Sequence, residues 1–419
     1  MTSTSAMQTG AESRAAAESR AALLGADGLL RTVIEQRSEE LRAIRRHLHA
    51  HPEPSHAEHA TTAYIAERLE ALGLDPVLMP RTGLHCDIPG ADAGLAPVGL
   101  RADMDALAIP ELTDLPYRSR VDGVSHACGH DVHMAAVLGA AMALTEAASR
   151  GLLPRTVRLV FQPSEERHPC GALEMIEAGV AEGLDSIFAL HCDPGVDVGH
   201  VGLKPGPITS ATDPVRIDLS GHGGHTSRPH LTQDLVYAMG QIITQLPAAL
   251  TRRMDPRSGV NLTWGSVHAG SAFNAIPSSG TLEGTLRCLD HEAWDRAEEL
   301  METIVADIAH AWGVRADVRH DRGVPPVSND PLSVRLLEDA VTSAYGRDRV
   351  DSARQSLGGE DFAWYLEKVP GALARLGTRA PGGRTYDLHM GDFEIDERAI
   401  GIGAALLAGV CVHRDLPLG

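Results

Sequence analysis

Basic residues are in short supply. Lys and Arg number 37 against 56 Asp and Glu, a formal charge of −19. A partner built on a phosphate backbone needs a basic face, so no nucleic acid is expected to bind. Cysteine is also scarce, and six residues scattered over 419 cannot make the disulfide framework of a small secreted domain. Cys86, Cys170, Cys192, Cys288 and Cys411 belong to no motif and read as buried, reduced thiols. Long apolar runs are missing too. The longest, near residues 400–412, is too short and too glycine-rich to cross a bilayer, and no membrane partner is expected. The opening MTSTSAMQTGAESRAAAESRAA has no apolar core of secretory length. Its Ala, Ser and interleaved charges predict a disordered tail over residues 1–28, and a cytoplasmic location is the expectation.

What remains is the composition of a soluble globular chain, 43% hydrophobic and 22% charged. Its length exceeds one ordinary core and predicts two domains. Apolar positions at helical spacing predict a helix over 29–47, stopped by Pro52, and another over 59–72 capped by Gly73. Short apolar runs at 98–100, 156–161 and 186–190 alternate with helical segments, among them the Ala- and Leu-rich 135–148. Such alternation implies an α/β fold, a mainly parallel central sheet flanked by helices, with chemistry gathered at the carboxyl ends of the strands. From about Pro214 the texture changes to strand, helix, strand, strand, helix, strand, the order of a ferredoxin-like α+β unit. After Pro325 and Pro326 the α/β texture returns. A catalytic domain of residues 29–212 and 323–419 is therefore predicted to carry an inserted lid domain at 213–322.

Between the strand-like RADMD and the helix lies SHACGHDVHMA, with three histidines, a cysteine and an aspartate. Thiolate sulfur and imidazole nitrogen suit zinc and similar ions. A buried thiol and a structural histidine at a helix start would read the same way. Other candidates follow the later apolar runs: Glu165 and Glu166 in FQPSEE, His191 in ALHCDPG and His389 in TYDLHMGDFEID. Successive residues on an extended chain point to opposite sides. The two glutamates are thus predicted to divide the work, one binding metal and the other acting as a base.

The motifs LRADMDALAI, HACGHDVHMA, FQPSEE, GHGGHTSRPH, NAIP, GGEDFAWY and HMGDFEID, together with RRHLHAHPEPS near the start, resemble the M20 metallopeptidase family. The resemblance is to its amidohydrolase branch, which includes hippurate hydrolase, auxin-conjugate hydrolases and N-acyl-amino-acid aminoacylases. It implies two divalent metal ions (zinc, manganese, cobalt or nickel) bridged by Cys128, with His130 and His191 completing one site and Glu166 and His389 the other. It also implies Glu165 as general base and Asp105 as the carboxylate that orients a ligand imidazole. His225 is assigned to the scissile carbonyl, Asn274 and Arg287 to the substrate's carboxylate, and Gly359 to its backbone. His222, where lysine is usual, and Ala275, where valine is common, depart from the pattern. The implied reaction is hydrolysis of the amide bond of an N-acyl-L-amino acid, a small-molecule substrate, to a carboxylic acid and a free amino acid. A metallo-carboxypeptidase or dipeptidase would use the same machinery. A homodimer through the lid domain is implied as well. From a different enzyme class, a thiol hydrolase would use Cys128 as its nucleophile.

Overall fold

The computed structural model describes residues 25–413. Residues 1–24 of the predicted tail lie outside them, whereas 25–28 are already helical. This start to the helix is ordered because it has something to bury: Ala26, Leu30 and Ile34 enter the core, and Asp27 accepts a hydrogen bond from His413 at 3.1 Å. The single helix predicted over 29–47 is two, one spanning 25–36 and the other Ser38–Ala50, with a turn at Arg37. The second ends two residues before Pro52, which disfavours helical backbone before it. The next helix, His59–Glu70, is followed by Gly73 at φ 78°, the left-handed turn expected after a helix.

The chain divides into two compact units, the inserted one comprising Pro207–Ser328 and Gln355–Ala363. The larger unit holds an eight-stranded sheet. Its middle is four parallel strands in the order Val157–Gln162, Val98–Asp103, Ser186–Asp197 and Gly371–Arg379. Leu84–Ile88 pairs antiparallel with Val157–Gln162, and Val201–Leu203 antiparallel with Gly371–Arg379. Parallel strands buried on both faces read as near-continuous apolar runs, and Val98–Asp103 is buried at every position. The helix His130–Ser149 packs into the same core. It is long and apolar enough to cross a bilayer, but most of it is buried in the fold. At mid-helix, a Cβ on Gly139 would meet the Ala404 Cβ at 2.8 Å and Leu41 at 3.0 Å. This glycine lets the helices Ser38–Ala50 and Arg398–His413 approach closely.

The inserted unit is a four-stranded antiparallel sheet in the order Asn261–Ala269, Ser279–Cys288, Ala211–Ser220, Arg315–His320. With the helices Leu235–Arg253 and His291–Ala311 it has the predicted ferredoxin-like element order. Both helices start on an aspartate cap: Asp234 accepts the Tyr237 amide and Asp290 the Ala293 amide. The unit extends beyond the predicted 213–322 because residues 207–210 bond to 355–358. Ser356 N donates to Ile208 O at 2.9 Å, and Ser210 Oγ donates to Leu357 O at 2.7 Å. Such irregular segments carry no periodicity to read.

Leu100 is fully buried on the central strand, whereas Val77 is 53% exposed at the sheet edge. Leu100→Ala is expected to cost about 2–5 kcal/mol and Val77→Ala within about 0.5 kcal/mol. Urea-unfolding midpoints of the two variants, followed by one probe, check this; equal shifts would contradict the placement of the core.

Candidate metal centre

Just past the strand Val98–Asp103 the chain delivers Asp105, which is buried. Its Oδ2 accepts Ser55 Oγ at 2.6 Å and the Glu166 amide at 3.0 Å, and its Oδ1 accepts the Glu165 amide at 3.1 Å. Its backbone carbonyl accepts His130 Nδ1–H at 2.8 Å. Burial favours the neutral acid, but bonds from His130 and Ser55 outweigh it and hold Asp105 below the usual carboxylate range. Since Nδ1 of His130 donates, its lone pair is on Nε2. That atom is buried with no hydrogen-bond partner among the described residues.

The neighbouring groups complete a cluster. His191, on the strand Ser186–Asp197, directs Nδ1 to the Cys192 carbonyl at 2.8 Å, leaving Nε2 3.5 Å from Cys128 Sγ. Burial lowers the His191 pKa and keeps the ring neutral. His389, at φ 60°, has its amide bonded to Ala127 O at 2.9 Å. Its Nε2 lies 3.1 Å from Glu166 Oε1. Potential ligand atoms of Cys128, His130 and His191 lie within 4.8 Å of one another, as do those of Cys128, Glu166 and His389. Cys128 belongs to both sets. Glu165 forms a similar group with His130 and Glu166.

Gly129 makes the convergence possible. It stands at φ 86° before the helix His130–Ser149, and a Cβ there would meet Cys192 Sγ at 2.7 Å. Another cluster, Asp103, His130 and His133, has no comparable capacity for an ion. His133 Nε2 accepts the Cys192 amide at 2.9 Å, so Nδ1 carries the hydrogen donated to Asp103 Oδ1 at 2.7 Å. Both nitrogens are thereby used.

Electrostatics marks the same place. Burial opposes a charge on His130, yet Asp103, Asp105 and Glu166 overcome it and push its pKa up to about 10. Burial, then Glu166 and Glu165, hold the Cys128 thiol well above its ordinary range. The site is short of positive charge. A divalent cation would supply it, accept the orphaned His130 Nε2 and stabilise the thiolate, so the donor set fits a metal.

The other predicted residues lie in the inserted unit. His225 and Asn274 sit together: Gly224–His225 pairs antiparallel with Ala275–Ile276, and Thr226 N donates to Asn274 O at 3.2 Å. Ser227 Oγ lies 2.8 Å from His225 Nδ1. Arg287 donates to Thr212 Oγ1 at 2.8 Å and to the Leu357 carbonyl, and a Cβ on Gly359 would meet Thr212 Oγ1 at 3.1 Å. Ser55, which fastens Asp105, was not picked out by the sequence reading. Nothing in RRHLHAHPEPS signals that its serine returns to a carboxylate fifty residues on.

The profile described as Peptidase family M20/M25/M40 matches residues 99–413. A Bacillus subtilis N-acetyl-L-cysteine deacetylase is 40% identical over 364 residues, covering 86% of this chain and 85% of that protein. A Rhodococcus jostii protein that carries a glutamate–cysteine ligase name is 49% identical over 372 residues, 88% of this chain. The match spans only 46% of that relative's length. Among solved structures, a dinuclear metal-binding peptidase of the M20 family from Bacillus subtilis superposes with a TM-score of 0.79 at 35% identity, covering 90% of this chain and 98% of that one.

His126, beside the cluster, is buried, and neither ring nitrogen has a hydrogen-bond partner among the described residues. Burial lowers its pKa to about 4, whereas an unfolded histidine titrates near 6.5. Between these values the unfolded state binds a proton that the folded state refuses. Stability is therefore full above about pH 6.5 and falls by on the order of 3 kcal/mol as the pH drops towards 4. Melting temperatures of the parent protein and His126→Asn from pH 7.5 to 4.5 should show the shallower decline in the variant. Equal slopes would remove His126 as the cause.

Proposed function

The chain belongs to peptidase family M20/M25/M40 and is a metal-dependent amidohydrolase, and on that footing we propose that it cleaves N-acyl-L-amino acids to a carboxylic acid and a free amino acid. The observation that carries this reading is the sharing of Cys128 between two ligand sets, one with His130 and His191, the other with Glu166 and His389, beside Glu165. Those five side chains would hold two divalent ions. When bound, the ions would acidify water and polarise the scissile carbonyl. Glu165 accepts the proton of the attacking water and returns it to the leaving amine. Asp105 sets the amides of Glu165 and Glu166 and the tautomer of His130. His225 donates to the developing oxyanion. Asn274, Arg287 and Gly359 bind the amino-acid end, for which the fork of Arg287 suits a free carboxylate. Similarity to the N-acetyl-L-cysteine deacetylase makes N-acetyl-L-cysteine the first substrate to test. A homodimer through the inserted unit is supported by its edge strand Asn261–Ala269 and by Phe273, which is 99% exposed.

Glu165→Gln is expected to keep its metal while kcat falls about 10²–10⁴-fold, the usual worth of a general base. Elemental analysis with steady-state rates on N-acetyl-L-cysteine, other N-acyl amino acids and dipeptides measures both. A metal-loaded variant with near-normal turnover would refute the base, and a preference for dipeptides would favour the peptidase reading. Cys128→Asp separates metal from thiol chemistry. A carboxylate can still bridge cations, so the metal reading expects retained metal and measurable activity. A thiol hydrolase would lose all activity on that change, and activity that survives a strong chelator in the parent protein would also favour it.

A further inference from the structure

The backbone just before Glu165 and Glu166 is held in a defined and unusual shape. Ser164 supplies that shape, at φ 48°, a left-handed conformation that residues with a Cβ rarely adopt. Only two other non-glycine residues among those described have positive φ, His56 at 65° and His389 at 60°. All three are tied to this centre. His56 Nε2 lies 3.0 Å from Ser164 Oγ, and His389 is itself a candidate ligand.

One carboxylate fastens the first two. Glu58 is fully buried, and its Oε1 accepts both the Ser164 amide at 2.8 Å and the His56 amide at 3.1 Å. Its Oε2 accepts Thr82 Oγ1 at 2.8 Å. Beyond Ser164, the amides of Glu165 and Glu166 go to Asp105. Three successive N–H groups are thus captured by two buried acids from separate parts of the chain. Asp105 sets the second and third, but only Glu58 sets the first, where the chain turns.

We propose that Glu58 is a positioning residue for Glu165: by accepting the amides of Ser164 and His56 it locks the left-handed turn that aims the base. This rests on Glu165 being the base. With Glu58 removed, the buried amide of Ser164 and the part-buried amide of His56 lose their acceptor, Ser164 relaxes towards extended backbone, and the following peptide rotates. Misplacement of a catalytic group by about 1 Å costs on the order of 100-fold in rate.

The test uses the metal-loaded full chain and the best substrate of the panel. Glu58→Ala is expected to lower kcat about 10–100-fold, with KM changed less than about threefold and the metal content of the parent protein. Glu58→Gln should recover most of the rate, because its amide oxygen can accept both backbone N–H groups while Thr82 turns its hydroxyl to accept. Should Glu58→Ala fail to fold, substitutions at Ser164 decide. Ser164→Gly adopts the left-handed backbone freely and should stay within a few-fold of parent kcat. Ser164→Val resists that backbone and should lose about 10–100-fold at unchanged metal content. The inference is overturned if Glu58→Ala keeps normal kcat, if Gln fails to restore it, if metal is lost in proportion to rate, or if the Gly and Val variants at 164 are equal. Glu165→Gln, measured alongside, keeps the two ideas apart. If it is active the base reading falls, and if it is dead while Glu58→Ala is normal only the present inference falls.

Discussion

The carboxylate of Asp105 is the constraint on which the centre depends. Its side chain joins the loop after the first long helices, through Ser55, to the FQPSEE turn, through two amides, and its backbone carbonyl holds the HDVH helix through His130. A buried carboxylate without partners would be costly, whereas this one has a donor on each side. The side-chain bonds that make its burial tolerable also fix the course of the chain at Glu165 and Glu166, while its backbone carbonyl fixes the tautomer of His130. Stability and function draw on one set of contacts here.

Around it, negative charge accumulates faster than the protein neutralises it. Asp103 is matched by Arg101 at 2.8 Å, and Asp131 by Arg45 at 2.7 Å and His49 at 2.8 Å. Asp105 and Glu166 face histidines and a thiol instead. That imbalance drives His130 towards protonation and keeps Cys128 protonated. Both effects disappear if divalent cations occupy the cluster, since imidazole then serves as a neutral ligand and sulfur as a thiolate. The inward pairing of Arg101 and Arg45 matters equally. Each pairs with a buried acid adjoining His130, Arg101 with Asp103 and Arg45 with Asp131.

Periodicity made the fold class legible. The short apolar runs at 98–100, 159–161 and 187–190 lie on buried parallel strands, and the inserted unit shows the alternation and the Asp caps of an α+β layer. The motifs made the ligand types legible, because few residues can bind a borderline metal ion. What periodicity could not show is contact made by irregular backbone. The extension of the inserted unit to residues 207–210 and 355–358 rests on loop-to-loop bonds, and the link from Ser55 to Asp105 crosses fifty positions. The turn at Arg37 was missed for the related reason that a brief break leaves the apolar spacing on both sides intact.

The least legible feature is also the most specific one. An extended chain would place Glu165 and Glu166 on opposite sides by simple alternation, and that was the sequence argument for giving them separate roles. The observed turn, at a left-handed Ser164 that local preference disfavours, instead brings carboxylate oxygens of both within 4.8 Å of each other and of a His130 ring nitrogen. Such conformations persist only where surrounding bonds over-determine them. At Ser164 the bonds come from Glu58 and His56, and at His389 from Ala127. The accuracy of this centre therefore draws on buried acceptors contributed by remote segments, Glu58 outside the motifs and Asp105 within them. A chain carrying every motif but lacking Glu58 would still look complete as a sequence, and the turn ahead of its two glutamates would lose its acceptor.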